Sequence, residues 1–302
     1  MKPAKFKYIR PETIEHAVDL LDGTDAGVRI LAGGQSLVPA LSARTVKASM
    51  LLDIMHCPGL NDISQNPGTM TIGAACRQSR IERDSAILQD IPLLSEALGW
   101  VAMPQVRSRG TVVGCLAQAN AGGEVPVVAL ALDAEFNLLL RGGIQQRMPA
   151  REVYAIEAGT RLPLQSVIVS ASFRARAVGE GWGFSEVQLR QGHFALVCCA
   201  ATMIVDENGF IKSATISIGG LTANPYRADQ AEKALMGESA NADLVLRDAA
   251  QIAATERPWP ARTDLHATAD FRSRAAVPAV ARALRDARLR CSRHTGASYE
   301  HA

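Results

Sequence analysis

Two short stretches of this sequence hold residue types that could do chemistry. Residues 31–44 read LAGGQSLVPALSAR: a short apolar run, then Ala32, Gly33, Gly34, Gln35 and Ser36, then Leu37 and a second apolar run. Paired glycines carry no side chain, so the backbone there can come close to a ligand and take positive φ. Gln35 and Ser36 add side-chain donors. The run after them could open a helix whose first N–H groups have no partner of their own. Such a turn suits an anion, a phosphate or pyrophosphate above all. An ordinary tight turn uses the same residues, so this stretch alone leaves both readings open.

The second stretch is RGTVVGCLAQANAGGE, residues 109–124. Gly110, Gly114, Gly122 and Gly123 stand among Thr111, Gln118, Asn120 and Glu124, ahead of an apolar run with Pro126 near its start. Two such turns, about eighty residues apart, could grip an extended ligand from both sides. Neither is the G-x-G-x-x-G of dinucleotide-binding folds, and no G-K-[ST] follows as in a P-loop.

The other chemistry-bearing residues make weaker patterns. The six histidines, His16, His56, His193, His266, His294 and His301, show no metal-ligand spacing. The six cysteines include no C-x-x-C pair, and Cys198 and Cys199 lie side by side in an apolar run. They read as buried small hydrophobes, not as a disulfide framework or a cluster site built by this chain alone. Asp53 and Asp62 read as solvated loop residues, and Trp100, Trp182 and Trp259 as core. Arg107 and Arg109 read as loop ion pairs, with a ligand's phosphates or a partner subunit as the alternatives. The arginines near the C-terminus, Arg272, Arg274, Arg282, Arg285, Arg288 and Arg290, read as a solvated helix face, with an inter-subunit contact as the second choice.

The elements that must position the two turns follow from periodicity. A strand at residues 6–9 precedes a helix expected to start at Pro11 and to bury Ile14, Ala17, Val18 and Leu21. VRIL and ASMLLDIM read as strands, and GTMTIGAACRQSRIERD as a strand leading to a helix capped near Ser79. IPLLSEALGWVA and residues 125–132 read as helices, and the run after them as a strand. Beyond residue 175 two β-rich runs flank Asn208-Gly209, a hairpin signal, and three helical patterns follow. The reading is α+β, with a boundary in RARAVGEGWG, where glycines and charges replace the apolar pattern.

The bulk composition agrees. In 302 residues, 48% are hydrophobic and 21% charged, enough for a sizeable core. With 32 basic and 30 acidic residues the net charge is +2, which gives no electrostatic reason for a nucleic-acid or membrane partner. No apolar run approaches the ~20 residues of a spanning helix, and no secretory signal is read, so a cytoplasmic location is expected.

LAGGQSLVPALSAR, TIGAACRQSRIE and PQVRSRGTVVGCLAQANAGGEVPVVALALDAEF together resemble the flavin-binding medium subunit of the molybdenum hydroxylases, the carbon monoxide dehydrogenase and xanthine dehydrogenase type. RPETIEHAVDLL, FALVCCAATMIVDENGFIKSATISIGGLTANPYRA and DFRSRAAVPAVARAL extend the likeness almost end to end. The resemblance implies a two-part FAD-binding domain of the vanillyl-alcohol oxidase (PCMH) type over residues 1–175, with subdomains at about 1–57 and 58–175. A smaller α+β C-terminal domain would follow over 178–290. It implies FAD as cofactor. Ala32, Gly33, Gly34, Gln35, Ser36 and Leu37 would hold it on one side, and Thr111, Val112, Val113, Gly114 and Cys115 on the other, with Glu124 at the family's acidic position. Departures are visible: Val113 stands for a usual glycine, Cys115 for Asn or Ser, and Asn120 and His193 for Asp.

The resemblance further implies a molybdopterin-binding large subunit, a [2Fe–2S] small subunit and an (αβγ)2 assembly. This chain would pass electrons from the clusters to an acceptor, and the substrate would be set elsewhere. Two alternatives remain at this point: a non-catalytic scaffold with weakened FAD binding, and a free-standing flavin oxidoreductase.

Overall fold

A computed structural model describes residues 2–21 and 27–291. It opens with a three-stranded parallel sheet in the order β1-β3-β2, made of β1 (Lys7–Ile9), β2 (Val28–Leu31) and β3 (Met50–Asp53), with α1 (Ile14–Asp19) and α2 (Leu37–Ala43) in the connections. α1 starts later than Pro11 suggests. Thr13 is its N-cap, accepting from His16 N at 3.2 Å, because a hydroxyl satisfies a first-turn donor and a proline ring does not. Ala17 and Val18 are its buried face.

A five-stranded sheet follows, in the order β4-β5-β8-β6-β7: β4 (Ile63–Asn66), β5 (Thr69–Gly73), β6 (Glu135–Leu140), β7 (Ile144–Pro149) and β8 (Ser166–Arg174). Between β5 and β6 the chain makes six short helices: α3 (Gln78–Ile81), α4 (Ser85–Asp90), α5 (Pro92–Leu98), α6 (Pro104–Arg107), α7 (Val112–Gln118) and α8 (Glu124–Ala131). α3 is one turn long, and its N-cap is Arg77, not Ser79. In α8 all eight residues are buried, so this helix is apolar all round and runs through the core. α9 (Ala150–Val153) leads on towards β8.

The last part is an antiparallel sheet in the order β12-β11-β10-β9, built from β9 (Gly181–Val187), β10 (Val197–Val205), β11 (Ile211–Gly219) and β12 (Tyr226–Arg227). Asn208-Gly209 turns the β10–β11 hairpin, with Gly209 at φ +83° as that turn requires. α10 (Asp229–Leu235), α11 (Asp243–Thr255) and α12 (Ala269–Cys291) cover one face of this sheet. The other face packs on the first part: Phe184, Cys198 and Ala200 belong to the same core as Val127 and Leu130 of α8. β10 is thus buried on both faces, which is why its sequence, VCCAATMIV, shows almost no polar alternation.

Three expectations change. Asp53 is 9% exposed at the end of β3, where it accepts a hydrogen bond from the Tyr8 hydroxyl; it is not a solvated loop residue. Arg272 is 1% exposed. It donates to Leu196 O (2.5 Å) and Gly220 O (2.9 Å) and pairs with Asp264 (2.7 Å). Arg290 leaves the helix face to grip Glu96 of α5 at 2.5 Å and lies 4.9 Å from the Trp182 ring. Arg288 also reaches Asp243 of α11 at 3.2 Å, so arginines spaced as a solvated stripe tie α12 to other elements, because long stems let a guanidinium reach carbonyls and carboxylates well away from its helix. Trp100 is 38% exposed, whereas Trp182 and Trp259 pack partly buried against the two cores. All six cysteines are free. Arg107 makes the expected ion pair, with Glu82 at 2.9 Å. Among the described residues no helix is long and apolar enough to cross a membrane. His294 and His301 lie outside the described residues.

Candidate functional site

The first glycine turn leaves the C-terminal end of β2, the position where parallel sheets present ligand-binding loops. Gly34 takes φ +73°, which favours glycine. Gln35 folds its amide back to Gly33 O at 3.2 Å, and Val38 N returns to Gly34 O at 3.0 Å as α2 begins. Within the described residues the main-chain N–H groups of Gly33, Gly34, Gln35, Ser36 and Leu37 meet no acceptor. Five consecutive donors left over in one turn call for something rich in oxygen.

The second turn meets the first backbone to backbone. A Cβ on Gly33 would lie 2.4 Å from Arg109 O and 2.7 Å from Gly110 Cα. Only glycine allows this approach. Thr111 then caps α7, accepting from Gly114 N at 3.0 Å. Two residues that the sequence reading passed over hold the junction. The Arg77 guanidinium donates to Arg109 O, the same oxygen that Gly33 touches. Gln78, 1% exposed, donates from its backbone N to Gly110 O (2.9 Å) and from its amide to Cys115 Sγ (3.0 Å). Nothing periodic marks them. A polar Arg-Gln pair between a strand and a one-turn helix was the available signal.

Together the turns line a cleft of about 280 Å³, walled by Ile30, Leu31, Ile54, Leu162, Val167 and Ile168. This volume lies at the lower edge of small-ligand pockets, so it suits a portion of an extended ligand more than the whole. Of the residues singled out from the sequence, Ala32, Gly33, Gly34, Gln35, Ser36 and Leu37 line it, as do Thr111, Val113, Gly114 and Cys115. Val112 does not; it is fully buried on the core side of α7. Glu124 does not either; it is 4% exposed at the first position of α8. Burial, with the Glu124 charge adding to it, pushes the Cys115 thiol up to about 12, so this side chain stays a neutral dipole in the cleft wall. His193 lies apart from this cleft, in a second cavity with Asn120, Phe194 and the Arg272–Asp264 pair.

The donor set fits a flavin dinucleotide. Free main-chain N–H groups at a glycine turn can neutralise a diphosphate without a lysine, and the glycine approach is one a Cβ would fill. Apolar walls suit a flat ring. Among the described residues no cluster of His, Cys, Asp and Glu could hold a metal ion.

Comparison with known proteins bears on the same residues. Residues 4–173 match a family model described as the FAD binding domain in molybdopterin dehydrogenase, and residues 182–287 match the CO dehydrogenase flavoprotein C-terminal domain. The chain is 35% identical, over all of both sequences, to the 6-hydroxypseudooxynicotine dehydrogenase complex subunit alpha of Paenarthrobacter nicotinovorans. It superposes on carbon monoxide dehydrogenase from Hydrogenophaga pseudoflava with a TM-score of 0.89 at 30% identity, covering 96% of this chain and 100% of that one. For quinoline 2-oxidoreductase from Pseudomonas putida 86 the TM-score is 0.88, at 30% identity, covering 96% and 99%. The α+β fold, with an FAD-binding part and a flavoprotein C-terminal part, is therefore the one these proteins share. This chain belongs to the FAD-binding medium subunits of the molybdenum hydroxylases, a component of an oxidoreductase complex with FAD as its cofactor.

Proposed function

We propose that this chain is the electron-exit subunit of its complex, taking electrons from [2Fe–2S] clusters on a small subunit and delivering them to an external acceptor. A molybdopterin-binding large subunit would oxidise the substrate, and the whole would assemble as (αβγ)2 in the cytoplasm. The observation that carries this reading is the meeting of two glycine turns over one cleft whose leading donors are unsatisfied main-chain N–H groups. Relatives named as medium chains or subunits of dehydrogenase complexes support the partners.

In this reading Gly33, Gly34, Gln35, Ser36 and Leu37 offer main-chain donors to the diphosphate, with Ala32 at the entry and Thr111, Val113, Gly114 and Cys115 on the facing wall. Val112 anchors α7 from behind, and Glu124 acts from a second layer. FAD supplies two-electron and one-electron redox chemistry when bound; the chain holds it, sets its electrostatics and limits access. The polypeptide divides into an FAD-binding part over 1–175, with subdomains at about 1–57 and 58–175, and a C-terminal part over 178–290.

The test is co-purification. The tagged chain, expressed with its neighbouring genes, is expected to bring down molybdenum, iron and near-stoichiometric flavin. A colourless chain that still assembles would favour the scaffold, and a flavin-loaded chain without partners the free-standing oxidoreductase; either would overturn the proposal.

A further inference from the structure

Two carboxyl groups lie buried where the C-terminal sheet meets the FAD-binding part, behind the cleft and not in its wall. Glu124, at the start of α8, is 4% exposed, and Glu186, near the end of β9, is 6% exposed. Both flank Cys198. Glu186 is its direct cross-strand partner on β9. On the neighbouring strand is Gly219, where a Cβ would sit 3.1 Å from the Cys198 sulfur and 2.5 Å from Val127 Cγ2, one helical turn along α8 from Glu124. The turn leading into Glu124 is clamped to the sheet: Gly220 N donates to Ala121 O at 2.5 Å and Ala195 N to Gly122 O at 3.3 Å.

Among the described residues no cation compensates these acids: neither Glu124 nor Glu186 makes an ion pair, and neither carboxyl oxygen of Glu186 has a hydrogen-bond donor. Around them β10 brings the Cys198 thiol and α7 the Cys115 thiol. α5 presents Glu96, already held by Arg290 of α12 and by the Trp182 indole. On the opposite face of the sheet α12 sets Asp286 over Gly183, and at the start of β9 Glu180 is spent on Arg174. A bare carboxylate in such a place is far less favourable than a neutral acid.

We propose that Glu124 and Glu186 are kept as a protonated pair behind the cofactor cleft, positioning residues that leave its flank neutral and so favour the gain of negative charge by the bound flavin. The site is the one assigned to FAD above, and the coupling to it rests on that reading. Burial pushes Glu124 up to about 7 and Glu186 up to about 9, the latter raised further by the Glu124 charge. Cys115, in the cleft wall, feels the same Glu124 charge. The step is a simple ionisation, each carboxylic acid releasing its proton to solvent as pH rises. The negative flank that results opposes reduction of the cofactor.

Infrared titration of the purified flavin-loaded protein tests the pair. A carboxylic-acid C=O band is expected at pH 7, where ordinary Asp and Glu are ionised; it should disappear by pH 10, and Glu186→Gln should remove the larger part of it. No such band in the unmodified protein overturns the proposal, whether or not the variants fold. A band as strong in both Glu186→Gln and Glu124→Gln as in the unmodified protein does the same. The second measurement is the flavin midpoint potential against pH. The unmodified protein should fall more steeply between pH 7 and 9 than either variant, with the curves meeting near pH 6. Parallel curves would overturn the coupling to the cleft. A protein that holds no flavin there would sink the functional reading and leave the infrared result standing.

Discussion

Gly33 and Gly34 look interchangeable in sequence and do different work. Gly34 is needed for its positive φ, while Gly33 is needed because another backbone touches it. Gly33→Ala should therefore push the two turns apart, since neither Arg109 O nor Gly110 Cα can swing away as a side chain would. Flavin retention is expected to weaken by roughly tenfold or more, about 1.4 kcal/mol, with far-UV circular dichroism unchanged. Unaltered flavin-to-protein absorbance after gel filtration would show that the turns need not touch. The sequence announced both glycines but not their division of labour, because a close approach from eighty residues away leaves no local pattern. For the same reason no local pattern marks Arg77 and Gln78. Cys115 makes a second residue-scale prediction. With its thiol pushed up to about 12, only about one molecule in ten thousand carries the thiolate at pH 8, so alkylation in the native state should be slow despite its place in the cleft. Rapid single-site labelling by iodoacetamide, located by mass spectrometry, would contradict this.

Among the elements, α7 and α12 show what periodicity reveals and what it misses. The helix start at α7 was legible because Thr111 is a capping residue before an apolar run, and it does cap, accepting from Gly114 N. Thr111→Ala should cost about 1 kcal/mol of stability in urea denaturation, with some loss of flavin from a loosened second turn. α12 is legible as a helix, but a basic stripe says nothing of which carbonyls lie within reach of its arginines. Arg272 closes the gap between Leu196 O and Gly220 O and is paired with Asp264. Replacing it with methionine strands those oxygens and leaves Asp264 short of a donor, so a loss of about 3–5 kcal/mol is expected. A pH dependence follows. Burial alone would raise the Asp264 carboxyl, but the His266 and Ala267 N–H groups and Arg272 outweigh it and hold it well below the ordinary carboxylate range. The stability it contributes is present above pH ~4 and is lost as pH falls through its lowered folded value. Asp264→Asn should flatten the acid limb of a stability–pH curve, and an unchanged limb would remove Asp264 from the account.

At the scale of the molecule the sequence suggests two modules joined near residue 175, and the family models break there too, between 173 and 182. The packing sets a different expectation for how the chain unfolds. β9 and β10 send Phe184, Cys198 and Ala200 into the core of the N-terminal part, and Cys199, Ala201 and Met203 into the core beneath α10–α12. Glu96, Trp182 and Arg290 add a polar clamp across the same seam. A sheet shared by two cores cannot lose one and keep the other, because its exposed face would leave a broad apolar surface in water. The whole chain should then melt in one transition, with calorimetric and van't Hoff enthalpies in agreement. Residues 1–175 expressed alone, lacking that sheet, should aggregate or behave as a loosely packed state that binds an apolar dye. The clue was present in VCCAATMIV, which is too uniformly apolar for a strand with one wet face, yet nothing local says which element covers the second side. Two resolved transitions, or a soluble 1–175 fragment with native near-UV circular dichroism, would show that the seam is an interface between independent domains. The buried acids Glu124 and Glu186 would then be free to open to solvent as the parts separate, and their protons could no longer be tied to the state of the cleft.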